Sequence, residues 1–255
     1  MTKVLFTLLS VFLIYVGIDA YLYVNQRSFI YYPTAKIMTP YKNWVMENDD
    51  EKINIIVLNE GHDNAILYFG GNAESMAESA DYIAQQFPEF TVYLMDYRGY
   101  SFSTGVSTEA TLYRDALKLY DSVKEKHTRI SLGGRSLGTA VATYVAAYRE
   151  VSKLALITPF DSIVNVAQGK YPMYPVHLLL DDTFDSESRV HLIKAKTFIV
   201  IAENDEVIPL KHTEKLIEAF PKVQLQVDTI QNRGHSDISS DDRYYKIMQD
   251  FIGEG

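Results

Sequence analysis

Residues 131–139 read Ser-Leu-Gly-Gly-Arg-Ser-Leu-Gly-Thr and contain the pattern G-x-S-x-G, whose serine is Ser136. The run 129–132 before it has the composition of a strand, and residues 139–148 after it have that of a helix. A strand, a sharp turn and a helix are the context in which a serine is held as an exposed nucleophile. Glycine is needed on both sides because a side chain there would meet neighbouring backbone. The stretch therefore predicts a strand, an elbow and a helix, with Ser136 at the tip.

Segments of strand and helix composition alternate along the rest of the chain. Buried parallel strands are almost wholly apolar, and alternation with helices is typical of a doubly wound sheet. The sequence thus predicts an α/β fold: one domain with a mostly parallel, doubly wound sheet and helices on both faces. The predicted strands are 29–33, 54–59, 65–69, 92–96, 129–132, 154–158, 198–202 and 223–230, and the predicted helices are 74–86, 109–126, 139–148, 211–220 and 242–252.

The composition excludes several classes of function. The 255 residues carry a formal net charge of -9 with no basic stripe, which argues against nucleic acid as a partner. The chain has no cysteine, so it forms no disulfide, thiolate metal site or cysteine nucleophile. Its six histidines are scattered without the spacing of a zinc site. We therefore expect neither a metal nor another cofactor.

An apolar run over residues 4–24 carries one charge, at Asp19, and is near the length of a membrane-spanning helix. Three interpretations compete. A cleaved signal peptide would need small residues before the cut, which residues 18–20 match poorly, and an amphipathic surface helix would carry more charge. We favour an uncleaved signal-anchor over residues 1–27, with a catalytic domain over residues 28–255 on the exported side of a single-pass membrane protein.

A nucleophilic serine needs a general base, which the sequence places near the end of the chain. His235 lies in Gly-His, between the last predicted strand and the last helix, where this architecture needs its base. His212 begins a helical segment, as solvated histidines often do, and His177 and His191 fall in irregular stretches.

The base in turn needs an acid that orients it. Asp205 follows the strand 198–202, and an apolar pair and a proline after it fix the loop. Glu203 is the rival, with Glu206 also in the loop. The resulting order of serine, aspartate and histidine matches α/β-hydrolases and neither chymotrypsin nor subtilisin.

Gly70-Gly71-Asn72-Ala73 follows the strand 65–69 and leads into a helix. The backbone N–H groups of Asn72 and Leu137, the residue after the serine, would then form an oxyanion hole. A tight turn that merely needs glycine is the alternative. A nucleotide site is disfavoured because no G-x-x-x-x-G-K-[ST] is present.

A second loop, residues 96–105, begins Asp-Tyr-Arg-Gly-Tyr. Arg98 could receive a substrate carboxylate. We favour instead a structural loop in which Asp96 and Arg98 pair, since structural ion pairs are commoner than ligand clamps.

Together these motifs resemble the α/β-hydrolase superfamily, and most of all its small membrane-anchored serine hydrolases. The resemblance covers residues 28–252 and implies Ser136, Asp205 and His235 as a triad, with Asn72 and Leu137 as oxyanion donors. The chain departs from the family at two places. Gly70 stands where the family has a histidine that braces the loop, and Ala202-Glu203 stands where the family has His-Gly. The motifs that carry the resemblance are Tyr31-Tyr32-Pro33, Gly71-Asn72-Ala73, the loop 96–100, Gly134 to Gly138, residues 158–162, Asp205 to Pro209 and Gly234-His235.

The resemblance implies an activity and a cap. The expected reaction is cleavage of a carboxylic ester, or a thioester or amide, with a small-molecule or lipid-like acyl substrate. A membrane-proximal lipase or acyltransferase is one alternative, and a non-catalytic anchored binding module on the same fold is another. Residues 163–192 are expected to form a short cap, whose apolar side chains either line an acyl site or simply pack on the domain.

Overall fold

The computed structural model of the chain describes residues 2–253. Its centre is an eight-stranded sheet in the order β1-β2-β4-β3-β5-β6-β7-β8. The strands β1 and β2 pair antiparallel, as do β2 and β4, and the remaining neighbours are parallel. The strands are β1 Lys42–Asn48, β2 Glu51–Leu58, β3 Asn64–Phe69, β4 Thr91–Met95, β5 Arg129–Arg135, β6 Lys153–Ile157, β7 Lys196–Ala202 and β8 Leu225–Ile230.

Helices cover both faces of this sheet and pack on its apolar side chains, which alternate between the two faces along each strand. On one face, Ile55 of β2 and Leu132 of β5 join a core with α3, α4 and α7. On the other, Ile56 and Ile157 join a core with α2 and α8. The helices are α1 Thr2–Ile30, α2 Met76–Gln86, α3 Glu109–Val123, α4 Leu137–Tyr148, α5 Ile163–Lys170, α6 Val176–Leu179, α7 Leu210–Ala219 and α8 Asp242–Gly253. The predicted fold class, a mostly parallel sheet with helices on both faces, is confirmed.

The helix α1 is long and apolar enough to cross a membrane, with a mean hydropathy of 2.0 over its most apolar window. A signal sequence near the N-terminus would pass the same test. Its side chains are largely exposed except on one face near its C-terminal end, where Gln26 and Ile30 are buried against the rest of the molecule.

The predicted cap region contains the helices α5 and α6 and a 3-10 turn, Glu187–Leu192. It follows β6 and lies beside α1, as a hydrogen bond from Gln26 to the carbonyl of Leu179 demonstrates. The domain boundary at residue 27 and the limits 163–192 of the cap stay predictions.

Two local predictions were wrong. Residues 29–33 do not form a strand, because α1 continues to Ile30 and a coil follows. The strand β1 was not predicted, because it lies at the edge of the sheet and buries only Met46, so its sequence lacks the alternation of a half-buried strand.

Candidate active site

The turn between β5 and α4 holds Ser136 in a strained backbone conformation with a positive φ, at φ of 49° and ψ of -117°. The flanking glycines permit this geometry. A Cβ at Gly134 would lie 2.4 Å from the carbonyl oxygen of Gly138, and a Cβ at Gly138 would lie 1.9 Å from the carbonyl oxygen of Phe69. Such contacts are shorter than real Cβ atoms tolerate, so the chain can make this elbow only with glycine at both positions.

Ser136, His235 and Asp205 form a continuous chain of hydrogen bonds at the carboxyl edge of the sheet. Ser136 Oγ is 2.9 Å from His235 Nε2, and His235 Nδ1 is 2.8 Å from Asp205 Oδ2. Asp205 Oδ1 also accepts hydrogen bonds from the backbone N–H groups of Val207 and Ile208, at 2.9 and 2.7 Å. These two bonds fix the carboxylate in the orientation that receives the imidazole.

The other candidate acids have different partners. Glu203 accepts the backbone N–H of Asn232 at 2.7 Å, and Glu206 accepts the backbone N–H of His235 at 3.1 Å. Both carboxylates therefore support the loop that carries the histidine, and neither contacts its ring through a hydrogen bond.

The other candidate bases lie away from Ser136. His212 is buried with its Nδ1 3.0 Å from Asp161 Oδ1. His177 and His191 are exposed, in the cap and in the turn that ends it. The structure thus brings together the three residues that the sequence singled out and separates their rivals from them.

Arg135, which sequence reasoning did not assign, ties the elbow to the histidine loop. Its guanidinium donates to the carbonyl oxygens of His235 and Ser236, each at 3.1 Å, and lies 3.9 Å from Glu74. In the same loop, a Cβ at Gly234 would lie 2.6 Å from Glu206 Oε2, so a larger residue there would displace the carboxylate that accepts the N–H of His235. The only feature of the sequence that points to this role of Arg135 is its position next to Ser136.

The loop 70–72 faces Ser136 from the end of β3. Of residues 2–253, none accepts a hydrogen bond from the N–H of Asn72. Leu137 opens α4, so its N–H is among the first four of a helix that lack an intrahelical acceptor. Both predicted oxyanion donors therefore lie beside the serine, on the two loops that meet there.

Four side-chain contacts brace the loop where the family's histidine is missing. Glu74 accepts the N–H of Gly71 at 2.8 Å, and the Asn72 side chain donates to the carbonyl of Ile30 at 3.0 Å. Tyr97 Oη donates to the carbonyl of Gly70 at 2.7 Å, and Tyr100 Oη to that of Asn72 at 2.6 Å.

Both tyrosines stay protonated as this bracing requires. Burial raises the pKa of the Tyr97 and Tyr100 phenols, so each keeps the proton that it donates. The motif Asp-Tyr-Arg-Gly-Tyr thus supports the loop 70–72, a role that its sequence did not reveal.

The predicted pair of Asp96 with Arg98 is wrong. Arg98 is buried and donates through Nε and Nη2 to the two carboxylate oxygens of Asp115, both at 2.8 Å, and through Nη2 to Asp49 at 3.3 Å. Asp96 accepts instead from the Asn54 side chain at 2.8 Å. Arg98 prefers Asp115 because that carboxylate on α3 offers bidentate geometry. The structural interpretation of the loop therefore stands, with Asp115 in place of Asp96 as the partner of Arg98.

A pocket of about 450 Å³ opens over Ser136 and His235. Its walls are mostly apolar and come from the cap, from the loop after Asp205 and from the C-terminal part of α1. This volume is within the range of small-molecule sites. Within residues 2–253, no group of three or more histidine and carboxylate side chains is placed to hold a metal ion.

Sequence relatives cover most of the chain. An uncharacterized protein of Mycobacterium tuberculosis is 28% identical over 237 residues, which is 87% of this chain and 84% of the relative. The alpha/beta hydrolase domain-containing protein aho-3 of Caenorhabditis elegans is 26% identical and matches 73% of this chain and 57% of its own length. Human protein ABHD12B is 31% identical over 60% of this chain, which spans about half of that relative (49%). No family model matches the chain.

Solved structures share the fold at lower identity. An esterase of Pyrococcus furiosus superposes with a TM-score of 0.67 at 18% identity, over 88% of this chain and 98% of the esterase. An enol-lactonase of Burkholderia xenovorans superposes with a TM-score of 0.65 at 15% identity, over 83% of this chain and 100% of the lactonase. The resemblance inferred from the motifs is confirmed at the level of this shared architecture.

Proposed function

From the α/β-hydrolase fold of this chain, and its resemblance to alpha/beta hydrolase domain-containing proteins, we propose that it is a serine hydrolase that cleaves a carboxylic ester. The hydrogen-bond chain from Ser136 Oγ through His235 to Asp205, with distances of 2.9 and 2.8 Å, is the observation that carries this proposal. Thioesters and amides react by the same route. The fold and the named relatives support a hydrolytic function in general.

In the proposed reaction, Ser136 Oγ attacks the ester carbonyl carbon while His235 Nε2 takes the hydroxyl proton. Asp205 holds the ring through Nδ1–H, so that Nε2 is the unprotonated nitrogen that faces the serine. As the bond from carbon to the leaving oxygen breaks, the imidazolium gives its proton to that oxygen and an acyl-enzyme remains. Water then attacks the acyl carbon, His235 takes its proton and returns it to Ser136 Oγ, and the acid is released.

The negative charge that develops on the carbonyl oxygen would be stabilised by the N–H groups of Asn72 and Leu137. One such donor lowers the barrier by about 3 kcal/mol in enzymes of this kind. The bracing of the loop 70–72 by Glu74, Tyr97 and Tyr100 supports this assignment, since fixed donors need no reorganisation during the reaction.

A fluorophosphonate probe tests the nucleophile directly. We expect the full chain in detergent micelles to be labelled at Ser136, identified by peptide mass, and Ser136→Ala to abolish both labelling and hydrolysis of short p-nitrophenyl esters. Loss of the nucleophile in a triad costs about four orders of magnitude or more in kcat.

Ser122→Ala is the matched control, because the Ser122 hydroxyl lies on α3 and donates only to the carbonyl of Lys118. It should keep full labelling. Folded protein without a Ser136 adduct would instead favour the non-catalytic binding module, and ester cleavage that survives Ser136→Ala would exclude the proposed mechanism.

We also propose that α1 is an uncleaved signal-anchor with the hydrolase domain on the exported side. Because the chain has no cysteine, a single Val223→Cys change supplies a unique thiol at a side chain that is 98% exposed. A membrane-impermeant maleimide should label it from the exported face of sealed vesicles only. Labelling from the cytoplasmic face would indicate the opposite topology. A mature protein whose N-terminus lies after residue 20 would establish cleavage.

A further inference from the structure

One wall of the pocket over Ser136 is the C-terminal part of α1. Leu22, Gln26, Phe29 and Ile30 line it, four residues of the helix that is long enough to cross a membrane. Facing them are apolar side chains of the cap, which include Ile163, Val166, Val176 and Leu179. The pocket is therefore a slot between the apolar helix and the cap, with Ser136 at its inner end.

Specific polar contacts fix this wall. The Gln26 amide donates to the carbonyl of Leu179 at 3.1 Å and accepts the N–H of Asp181 at 2.7 Å. Arg27 and Tyr31 both donate to Asp182 Oδ2, at 3.2 and 3.0 Å. Because the polar atoms of Gln26 are used in this way, the surface left for a ligand between α1 and the cap is mostly apolar, and Lys170 is the charged side chain that the cap contributes to it.

The contact of the cap with α1 extends toward the N-terminus of the helix. Tyr15 stacks on Tyr174, with ring centroids 5.6 Å apart, and donates to the carbonyl of Met173 at 2.8 Å. Tyr15 lies two helical turns, about 10 Å, before Leu22. Beside this contact, Met173 and Leu178 of the cap are 78% and 74% exposed. The outer end of the slot is thus bordered by apolar side chains of both the helix and the cap.

We propose that the acyl chain of the substrate lies in this slot, against α1, and that the substrate is a long-chain ester taken from the bilayer that surrounds the helix. This inference rests on the proposed hydrolase function and adds to it the substrate class and its binding wall. An apolar slot bordered by a membrane helix lets a chain pass from lipid to Ser136 without crossing water. Each methylene buried there increases binding about fourfold.

Chain-length preference in phosphatidylcholine nanodiscs tests the inference on the full chain. The quantity measured is the ratio of kcat/KM for p-nitrophenyl dodecanoate to that for the acetate. Leu22→Trp fills the slot and should lower this ratio about tenfold or more, the equivalent of two or more lost methylene contacts. Phe29→Ala, at a half-exposed side chain where folding is not at risk, should lower it in the same direction.

Val24→Trp is the matched control on the same helix, because its side chain is 78% exposed and lies outside the pocket. It should leave the ratio unchanged. A ratio that is unaffected by Leu22→Trp and Phe29→Ala, or that falls equally with Val24→Trp, overturns the acyl slot. Acetate hydrolysis that still depends on Ser136 would in that case leave the proposed hydrolase function intact.

A second measurement does not depend on turnover. A palmitate analogue with a diazirine group, photolysed with the Ser136→Ala protein in nanodiscs, should crosslink to residues 22–30 and 163–180. Crosslinks confined to residues 4–14, which precede the contact of Tyr15 with the cap, would contradict the slot whether or not the chain hydrolyses esters.

Discussion

The two loops that meet at Ser136 are built in opposite ways. The elbow owes its shape to its own glycines, since a Cβ at Gly134 would strike the carbonyl of Gly138 four residues later. The facing loop, Gly70 to Asn72, is held by side chains and carbonyls from elsewhere, and Ile30 and Tyr97 lie 42 and 27 residues away in the sequence. One half of the site depends on the absence of side chains at its own glycines, and the other on side chains and carbonyls supplied from elsewhere in the fold.

This difference predicts how each half responds to change. A loop that has room only for glycine fails when its own residues change, whereas a loop held by distant partners tolerates changes within it and is sensitive to loss of those partners. Four variants test the contrast.

Gly138→Ala should have the largest effect. The new Cβ would lie 1.9 Å from the carbonyl oxygen of Phe69 and 2.6 Å from that of Gly70, and neither backbone atom can move without shifting β3. We expect a loss of more than about 4 kcal/mol in the free energy of unfolding, or no folded protein. Thermal unfolding in detergent measures it. A variant with the same melting temperature as the wild type would refute the steric requirement.

Asp96→Asn should change stability in a pH-dependent way. Burial raises the pKa of Asp96 from its ordinary value of 3.8 to about 6, so ionisation of this carboxyl destabilises the folded state. Stability is therefore lost as pH rises from about 4 to 6, and the deficit persists above pH 6. A pKa rise of this size lowers the free energy of unfolding above pH 6 by about 3 kcal/mol relative to its value near pH 4.

The asparagine variant has no such group to ionise. It should unfold at a higher temperature than the wild type at pH 7.5 and at nearly the same temperature near pH 4. If the variant and the wild type melt at the same temperature at pH 7.5 as well as at pH 4, Asp96 does not titrate inside the folded domain. Because Tyr97 follows Asp96 directly, the charge on Asp96 acts on the half of the site that holds the loop 70–72.

Tyr97→Phe combined with Tyr100→Phe should lower kcat with little change in KM. The double variant removes two hydrogen bonds to the carbonyls of Gly70 and Asn72, each worth about 1 kcal/mol, so kcat should fall about 30-fold. Steady-state kinetics on a short ester measure the effect, with Tyr148→Phe, at an exposed side chain, as the control. A rise in KM alone would assign these tyrosines to substrate binding instead.

Gly71→Ala should have the smallest effect and is the counterpart of Gly138→Ala. Its Cβ would meet Glu74 and Ser136 side-chain atoms at 3.7 Å, which is ordinary van der Waals contact. The free energy of unfolding should change by less than about 1 kcal/mol. Destabilisation as large as that of Gly138→Ala would erase the distinction between the loops.

The same contrast explains what could be predicted from the sequence. The buried strands and the elbow have a local signature, namely apolar runs and glycines at fixed spacing, and they were predicted. Ser136, Asp205 and His235 could be singled out because each follows a strand and parallel strands end at one edge.

Features that depend on distant partners could not be read in this way. Arg98 gave no sign that its partner would be Asp115 on α3, and Tyr97 and Tyr100 gave none that they would hold the loop 70–72. Residues 29–33 have strand composition, but packing of Ile30 and Tyr31 on the domain keeps α1 helical to Ile30. Tertiary contacts override local propensity at these points.

Asp182 joins parts of the chain that are synthesised at different times. This one carboxylate accepts hydrogen bonds from Arg27, Tyr31 and the backbone N–H of Glu109, and its partner on α1 precedes it by 155 residues. Since the chain is synthesised from its N-terminus, the apolar helix α1 emerges long before the residue that fastens it to the cap. A nascent chain that stops before Asp182 therefore already carries its apolar helix, while the pocket over Ser136 still lacks the wall that this carboxylate holds in place.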